Sequence, residues 1–124
     1  MRALIVEDEW LIAMDLAETL RQTGHEVVGL AVDAEEAIAI ARECKPDLAL
    51  MDLRLSNGTS GIDAAERLWR EAGVRCIFVS ANLDGDTVDS LRPLEPLGFV
   101  AKPILPARLR HAMGVAEIAL AAAS

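Results

Sequence analysis

Residues 46–54 read PDLALMDLR, and the run Leu48, Ala49, Leu50, Met51 ending in Asp52 sets the frame for the whole chain. Four consecutive apolar residues show no period-two alternation, so a strand made from them is expected to be covered on both faces. Pro46 ends whatever precedes the run. Asp52 then places a carboxylate where the apolar stretch stops. Four more runs of this kind occur at Ala3–Val6, Val27–Ala31, Cys76–Val79 and Gly98–Ala101. Strands covered on both faces belong to parallel sheets, which need crossover helices between them.

Those helices are legible from their 3.6-residue period. Ile12, Leu16 and Leu20 lie four apart, with Ala13 and Ala17 beside them. Ala37, Ile38 and Ala41 make a second stripe, Ile62, Ala65 and Trp69 a third, and Leu109, Met113, Ala116 and Leu120 the last. End signals agree. Asp33 and Glu36 have capping-box spacing before the second helix, and Ser60 with Asp63 is a weaker relative before the third. Gly24 stops the first helix, Lys45-Pro46 the second, and Pro106 suits the first turn of the last. Pro93 and Pro96 limit the fourth helix to about two turns, beginning near Asp84 or Asp86.

Five β/α units in alternation define an α/β domain with one open, mostly parallel sheet between two helical layers. A chain of 124 residues is one domain, 1–124, with one substantial core. Alanine fills 21 positions and Tyr none, so that core is aliphatic and close-packed. Twelve Lys and Arg against twenty Asp and Glu leave a net charge of −8 with no basic cluster, which argues against direct nucleic-acid binding and anionic membranes. No stretch approaches the roughly 20 apolar residues of a membrane span, and no signal-peptide core precedes Glu7. Cys44 and Cys76 lack metal or CxxC spacing. The chain reads as cytoplasmic.

Right-handed crossovers put the functional crevice of such a sheet at the carboxyl ends of its strands. The residues leaving the strands are Glu7-Asp8-Glu9, Asp52, Ser80 and Lys102-Pro103. Carboxylates, a hydroxyl and one ammonium are therefore expected to share an edge. Glu7, Asp8 and Asp52 at close range repel one another unless a cation neutralises them. An all-oxygen donor set suits Mg²⁺. A carboxylate is also a nucleophile toward phosphorus, and phosphoryl transfer asks mainly for positioning and positive charge.

Glu7-Asp8, Asp52, Ser80 and Lys102-Pro103, at successive strand ends over nearly the whole chain, resemble the receiver domain of two-component response regulators. The resemblance implies a flavodoxin-like sheet of order 2-1-3-4-5 in a stand-alone receiver. It implies a phosphoryl group accepted on Asp52 from a sensor histidine kinase or histidine phosphotransfer protein, with Mg²⁺ held by Asp8, Asp52, the Arg54 backbone carbonyl and, through water, Glu7. Ser80 and Lys102 would bind the phosphoryl group. Phe99 matches the family's aromatic switch, reshaping the surface of the fourth helix, fifth strand and fifth helix for a downstream protein target or a homodimer. Such a domain assists its own modification and is not an enzyme with external turnover.

Several positions depart from the family pattern. Ser56 stands where many receivers have Pro, Ser60-Gly61 arrives one residue late, and Ile104 replaces a common aromatic. The resemblance sets the side chain two past the acceptor, here Arg54, beside the path of the hydrolysing water, to contact the phosphoryl group or to block hydrolysis, so a phosphorylated form lasting minutes or longer is expected. Trp10, Leu11 and Met14 exceed what one buried stripe needs, and are read either as a wide stripe or as a kinase-docking contact. Two rivals remain at this level. One is an Asp-nucleophile phosphatase, disfavoured because Arg54 occupies the place of its second acid. The other is an interaction module that retains the fold without phosphorylation.

Overall fold

A computed structural model describes residues 1–55 and 60–123. Its strands are β1 (Arg2–Val6), β2 (Glu26–Ala31), β3 (Leu48–Asp52), β4 (Cys76–Ser80) and β5 (Gly98–Ala101). Its helices are α1 (Trp10–Gln22), α2 (Ala34–Cys44), α3 (Gly61–Ala72), α4 (Gly85–Leu91) and α5 (Pro106–Ala123), with a 3₁₀ turn at Arg92–Leu94. All four strand pairings are parallel, in the order β2-β1-β3-β4-β5.

Alternation along the strands divides the core in two. Leu48 and Leu50 of β3, with Ile5 and Ile77, face α1 and α5 and pack on Leu16, Leu20, Leu109 and Met113. Ala49 and Met51, with Leu4 and Phe78, face α2, α3 and α4 and pack on Ile38, Ala65, Leu68 and Leu91. Each fully buried side chain of this size contributes about 1.5–3 kcal/mol. No helix among the described residues is long and apolar enough to cross a membrane.

The caps form nearly as the sequence suggests. Asp33 accepts from the Glu36 amide at 2.9 Å, while the Glu36 carboxylate reaches past Asp33 to the Val32 amide, also at 2.9 Å. Ser60 accepts from Ile62 rather than from Asp63. Lys45 and Gly73 end α2 and α3 in the left-handed region, and α4 starts behind an Asp84 cap.

Two expectations need correction. β2 and β5 are the two sheet edges, so Val27–Leu30, and Gly98, Phe99 and Ala101, are half-buried and not covered on both faces. The inner line of α3 is Gly61, Ala64, Ala65 and Leu68, with Ile62 and Trp69 only half-buried. Leu68 turns inward in place of Trp69 because α3 lies close on the sheet through its small residues, where an indole does not fit. Ser56 lies outside the described residues.

Candidate phosphoryl and metal site

Each site residue sits within two residues of the end of a strand whose ladder continues beneath it. The Glu7 amide donates to the Ala31 carbonyl at 2.9 Å, the Leu53 amide to Val79 at 3.2 Å, and the Lys102 amide to Ser80 at 2.9 Å. The backbone that presents these side chains is thus tied to the next strand, and the Lys102–Pro103 peptide is cis.

Glu7, Asp8 and Asp52 converge so that one oxygen from each lies within 4.8 Å of the others. Glu7 and Asp52 are only 3% and 4% exposed. Lys102 Nζ lies 3.2 Å from Asp52 Oδ2 and 3.5 Å from Glu7 Oε1. The Arg54 amide donates to Asp52 Oδ1 at 3.1 Å. Glu7 Oε2 is buried without a hydrogen-bond partner among the described residues.

The electrostatics follow from this crowding. Burial, then hydrogen bonding and charge repulsion with Asp52, push the Glu7 carboxyl up to about 8 against the pull of Lys102. Burial works to lower Lys102, but Asp52 and then Glu7 outweigh it and hold the ammonium above its ordinary value. One ammonium thus serves two buried carboxylates, Glu7 and Asp52, with Asp8 beside them. Buried like charge with an orphaned oxygen is the donor set that a small hard cation completes, and the cluster fits Mg²⁺ on that ground.

The remaining predicted positions lie around this cradle. Ser80 is buried at the end of β4, beside β3, and its hydroxyl accepts from the Asn82 amide at 3.1 Å, leaving its own proton to donate. The Arg54 residue is exposed just beyond Asp52. Phe99 pairs with Phe78 across β5 and β4 and stacks on it at 5.9 Å and 25°. Because Ser80 pairs with Ala101, two residues on from Phe99, serine and ring share one face of the sheet. Phe99 also borders a groove of about 440 Å³ with Leu83, Arg108 and His111. A second groove, about 610 Å³, lies between α1 and the start of α5 and reaches Lys102 and Ile104.

A parallel sheet of this order, with an acidic cradle and one lysine at its carboxyl edge, defines a signal-receiving domain of two-component systems. The chain belongs to the response regulator receiver domain family, whose pattern it matches over residues 3–114. It is 40% identical over 102 residues to the transcriptional regulatory protein PdtaR of Mycobacterium tuberculosis, covering 82% of this chain and 49% of PdtaR. It is 43% identical over 107 residues to the phyllosphere-induced regulator PhyR of Methylorubrum extorquens, covering 86% of this chain and 39% of PhyR. The chain therefore spans about half or less of these relatives' length. The signal receiver domain of a modulated diguanylate cyclase from Desulfovibrio desulfuricans superposes with a TM-score of 0.88 at 30% identity, covering 99% of this chain and 98% of that one. Receiver domains bind Mg²⁺ at such an acidic pocket and are generally not catalytic enzymes in their own right.

One residue of this edge shows in the sequence only as half of the Ser60-Gly61 pair that arrives one residue late. Gly61 reads there as part of a helix start. In the fold it lies directly against the backbone of Asp52.

Proposed function

We propose that the chain, as one receiver domain over residues 1–124 acting in the cytoplasm, accepts a phosphoryl group on Asp52 from a sensor histidine kinase or histidine phosphotransfer protein. The observation that carries this reading is the Asp52 carboxylate, within reach of Glu7 and Asp8 on one side and 3.2 Å from Lys102 Nζ on the other.

In the transfer, an Asp52 oxygen forms a bond to phosphorus as the bond from phosphorus to the donor's imidazole nitrogen breaks. The electron pair leaves on that nitrogen, and the product is an acyl phosphate. Lys102 pairs with the phosphoryl oxygens, and the Ser80 hydroxyl turns to donate to one of them. Asp8, Asp52 and the Arg54 carbonyl would hold Mg²⁺, with Glu7 acting through water. Bound there, the ion supplies positive charge that offsets the developing negative charge on the phosphoryl oxygens.

The Ser80 movement opens space beside Phe99, and the ring's shift alters the surface of α4, β5 and α5 for a downstream protein or a second copy of the chain. Trp10 and Leu11, 68% and 79% exposed at the start of α1, form with Met14 the apolar contact offered to the kinase. Arg54 shields the acyl phosphate from water. Its replacement by Ala is expected to shorten the phosphorylated state several-fold, followed as loss of phosphate from purified protein.

The test of the whole reading is intact-mass spectrometry after incubation with acetyl phosphate. Uptake of one phosphoryl group with Mg²⁺, absent in Asp52→Asn and without the metal, is the expected result. A folded wild-type chain that gains no mass would leave the phosphorylation-independent interaction module as the better reading.

A further inference from the structure

The backbone that carries Asp52 is in contact with the first residue of α3. A Cβ placed on Gly61 would lie 2.1 Å from the Asp52 carbonyl oxygen, 2.6 Å from Leu53 Cα and 2.9 Å from the Asp52 carbonyl carbon. All three are main-chain atoms, so no flexible side chain can move aside. The approach is clasped by the Gly61 amide, which donates to the Leu53 carbonyl at 3.2 Å, and by antiparallel bridging between Arg54 and Ser60. Ser60 in turn caps α3 through the Ile62 amide at 3.1 Å. The start of α3 thus rests against the peptide that ends the acceptor strand.

We infer that Gly61 is a positioning residue for the phosphoryl acceptor: the missing side chain lets the amino end of α3 seat against the Asp52–Leu53 backbone and fixes where the Asp52 carboxylate stands in the metal cradle. The inference deepens the proposed function and rests on Asp52 being the acceptor. Its physical content is a displacement. Separating a Cβ from that carbonyl to an ordinary contact moves the acceptor backbone or the helix by roughly 1 Å, and misplacement of that size can cost about 10²-fold in rate. Among the other described glycines only Gly29, on β2, makes a close approach, 2.8 Å to the end of the Ile40 side chain, which unlike main chain can shift. Gly73, at the far end of the same helix, has nothing within 4 Å of its Cβ position but a φ of +67°, so alanine there strains the backbone away from the site. Gly85, Gly98 and Gly114 have open space.

The experiment compares Gly61→Ala, Gly73→Ala and wild type, each shown folded by circular dichroism and thermal melting. Mg²⁺ affinity is read by calorimetry and phosphoryl uptake from acetyl phosphate by intact mass. Gly61→Ala is expected to lose at least tenfold in both, while Gly73→Ala loses thermal stability and keeps wild-type Mg²⁺ affinity and uptake. Should Gly61→Ala fail to fold, Ser60→Ala replaces it. That variant loosens the start of α3 without adding a clash, and a two- to fivefold loss of Mg²⁺ affinity is expected. Wild-type behaviour of the folded Gly61→Ala variant, or of Ser60→Ala in its place, would overturn the positioning role alone. Equal losses in Gly73→Ala would overturn it too, by tracing the effect to helix stability. Absence of phosphoryl uptake in wild type would bring down the phosphoacceptor reading and this inference with it.

Discussion

The two edges of the sheet handle polar groups in opposite ways. At the amino edge, charged side chains are exposed and serve as caps. The Arg2 guanidinium donates to the Cys44 and Lys45 carbonyls at the end of α2, and Arg75 donates to the Glu95 carbonyl after the 3₁₀ turn. Gly24 and Gly73 take the left-handed turns that end α1 and α3. At the carboxyl edge, Glu7 and Asp52 are buried against each other, one Glu7 oxygen has no partner among the described residues, and Lys102 is shared between both carboxylates. One edge closes the fold. The other holds charge under tension, ready for a cation and a phosphoryl group.

Substitutions at the carboxyl edge should therefore depend on Mg²⁺ and pH, and those at the amino edge should not. The largest effect on stability is expected from Lys102→Met, which leaves buried carboxylates without their ammonium. In EDTA at pH 7 it should cost about 2 kcal/mol in urea unfolding, below the usual range for breaking a buried pair because Glu7, raised to about 8, already holds its proton there and leaves less charge uncompensated. Mg²⁺ should restore most of that loss, and an equal loss with the metal present would break the contrast between the edges.

Glu7→Gln comes next and should act with the opposite sign. With its carboxyl raised from 4.5 to about 8 in the folded state, Glu7 keeps a proton that the unfolded chain releases. Its contribution to stability is complete below about 4.5 and is lost as pH rises toward 8. The metal-free protein should thus melt lower as pH climbs through this window. Glu7→Gln should flatten the profile and gain about 1 kcal/mol at pH 8, while weakening Mg²⁺ binding. A profile as steep in the variant as in wild type would show that the repulsion lies elsewhere.

The last of the three belongs to the amino edge. Gly73→Ala forces a side chain into the left-handed region and should cost about 1 kcal/mol at any pH, with or without Mg²⁺. A cost that changed with Mg²⁺ would mean that the two edges are coupled through α3.

Much of the site could be read before any fold was built, for a simple reason. In a parallel sheet the residue that ends each apolar run emerges at the same edge, so Glu7, Asp52, Ser80 and Lys102 are gathered by topology alone. Short continuous runs and capping signals made the elements equally legible, down to the brief α4 before Pro93. The failures share a cause as well. Whether β2 is covered and whether Leu68 or Trp69 of α3 faces inward depend on neighbours from other parts of the chain. Gly61 belongs with them. Its spacing announces a helix start, and nothing local announces what that helix start touches.

The order of residue types along this chain was sufficient to set an alternating α/β architecture and to name the groups at its carboxyl edge, because periodicity and capping are local properties. Only the tertiary structure decided that two buried carboxylates share one lysine, that a glutamate there keeps its proton to about 8, and that α3 rests on the acceptor's own backbone. Those are consequences of distance and burial between segments far apart in sequence, and distance is what packing supplies.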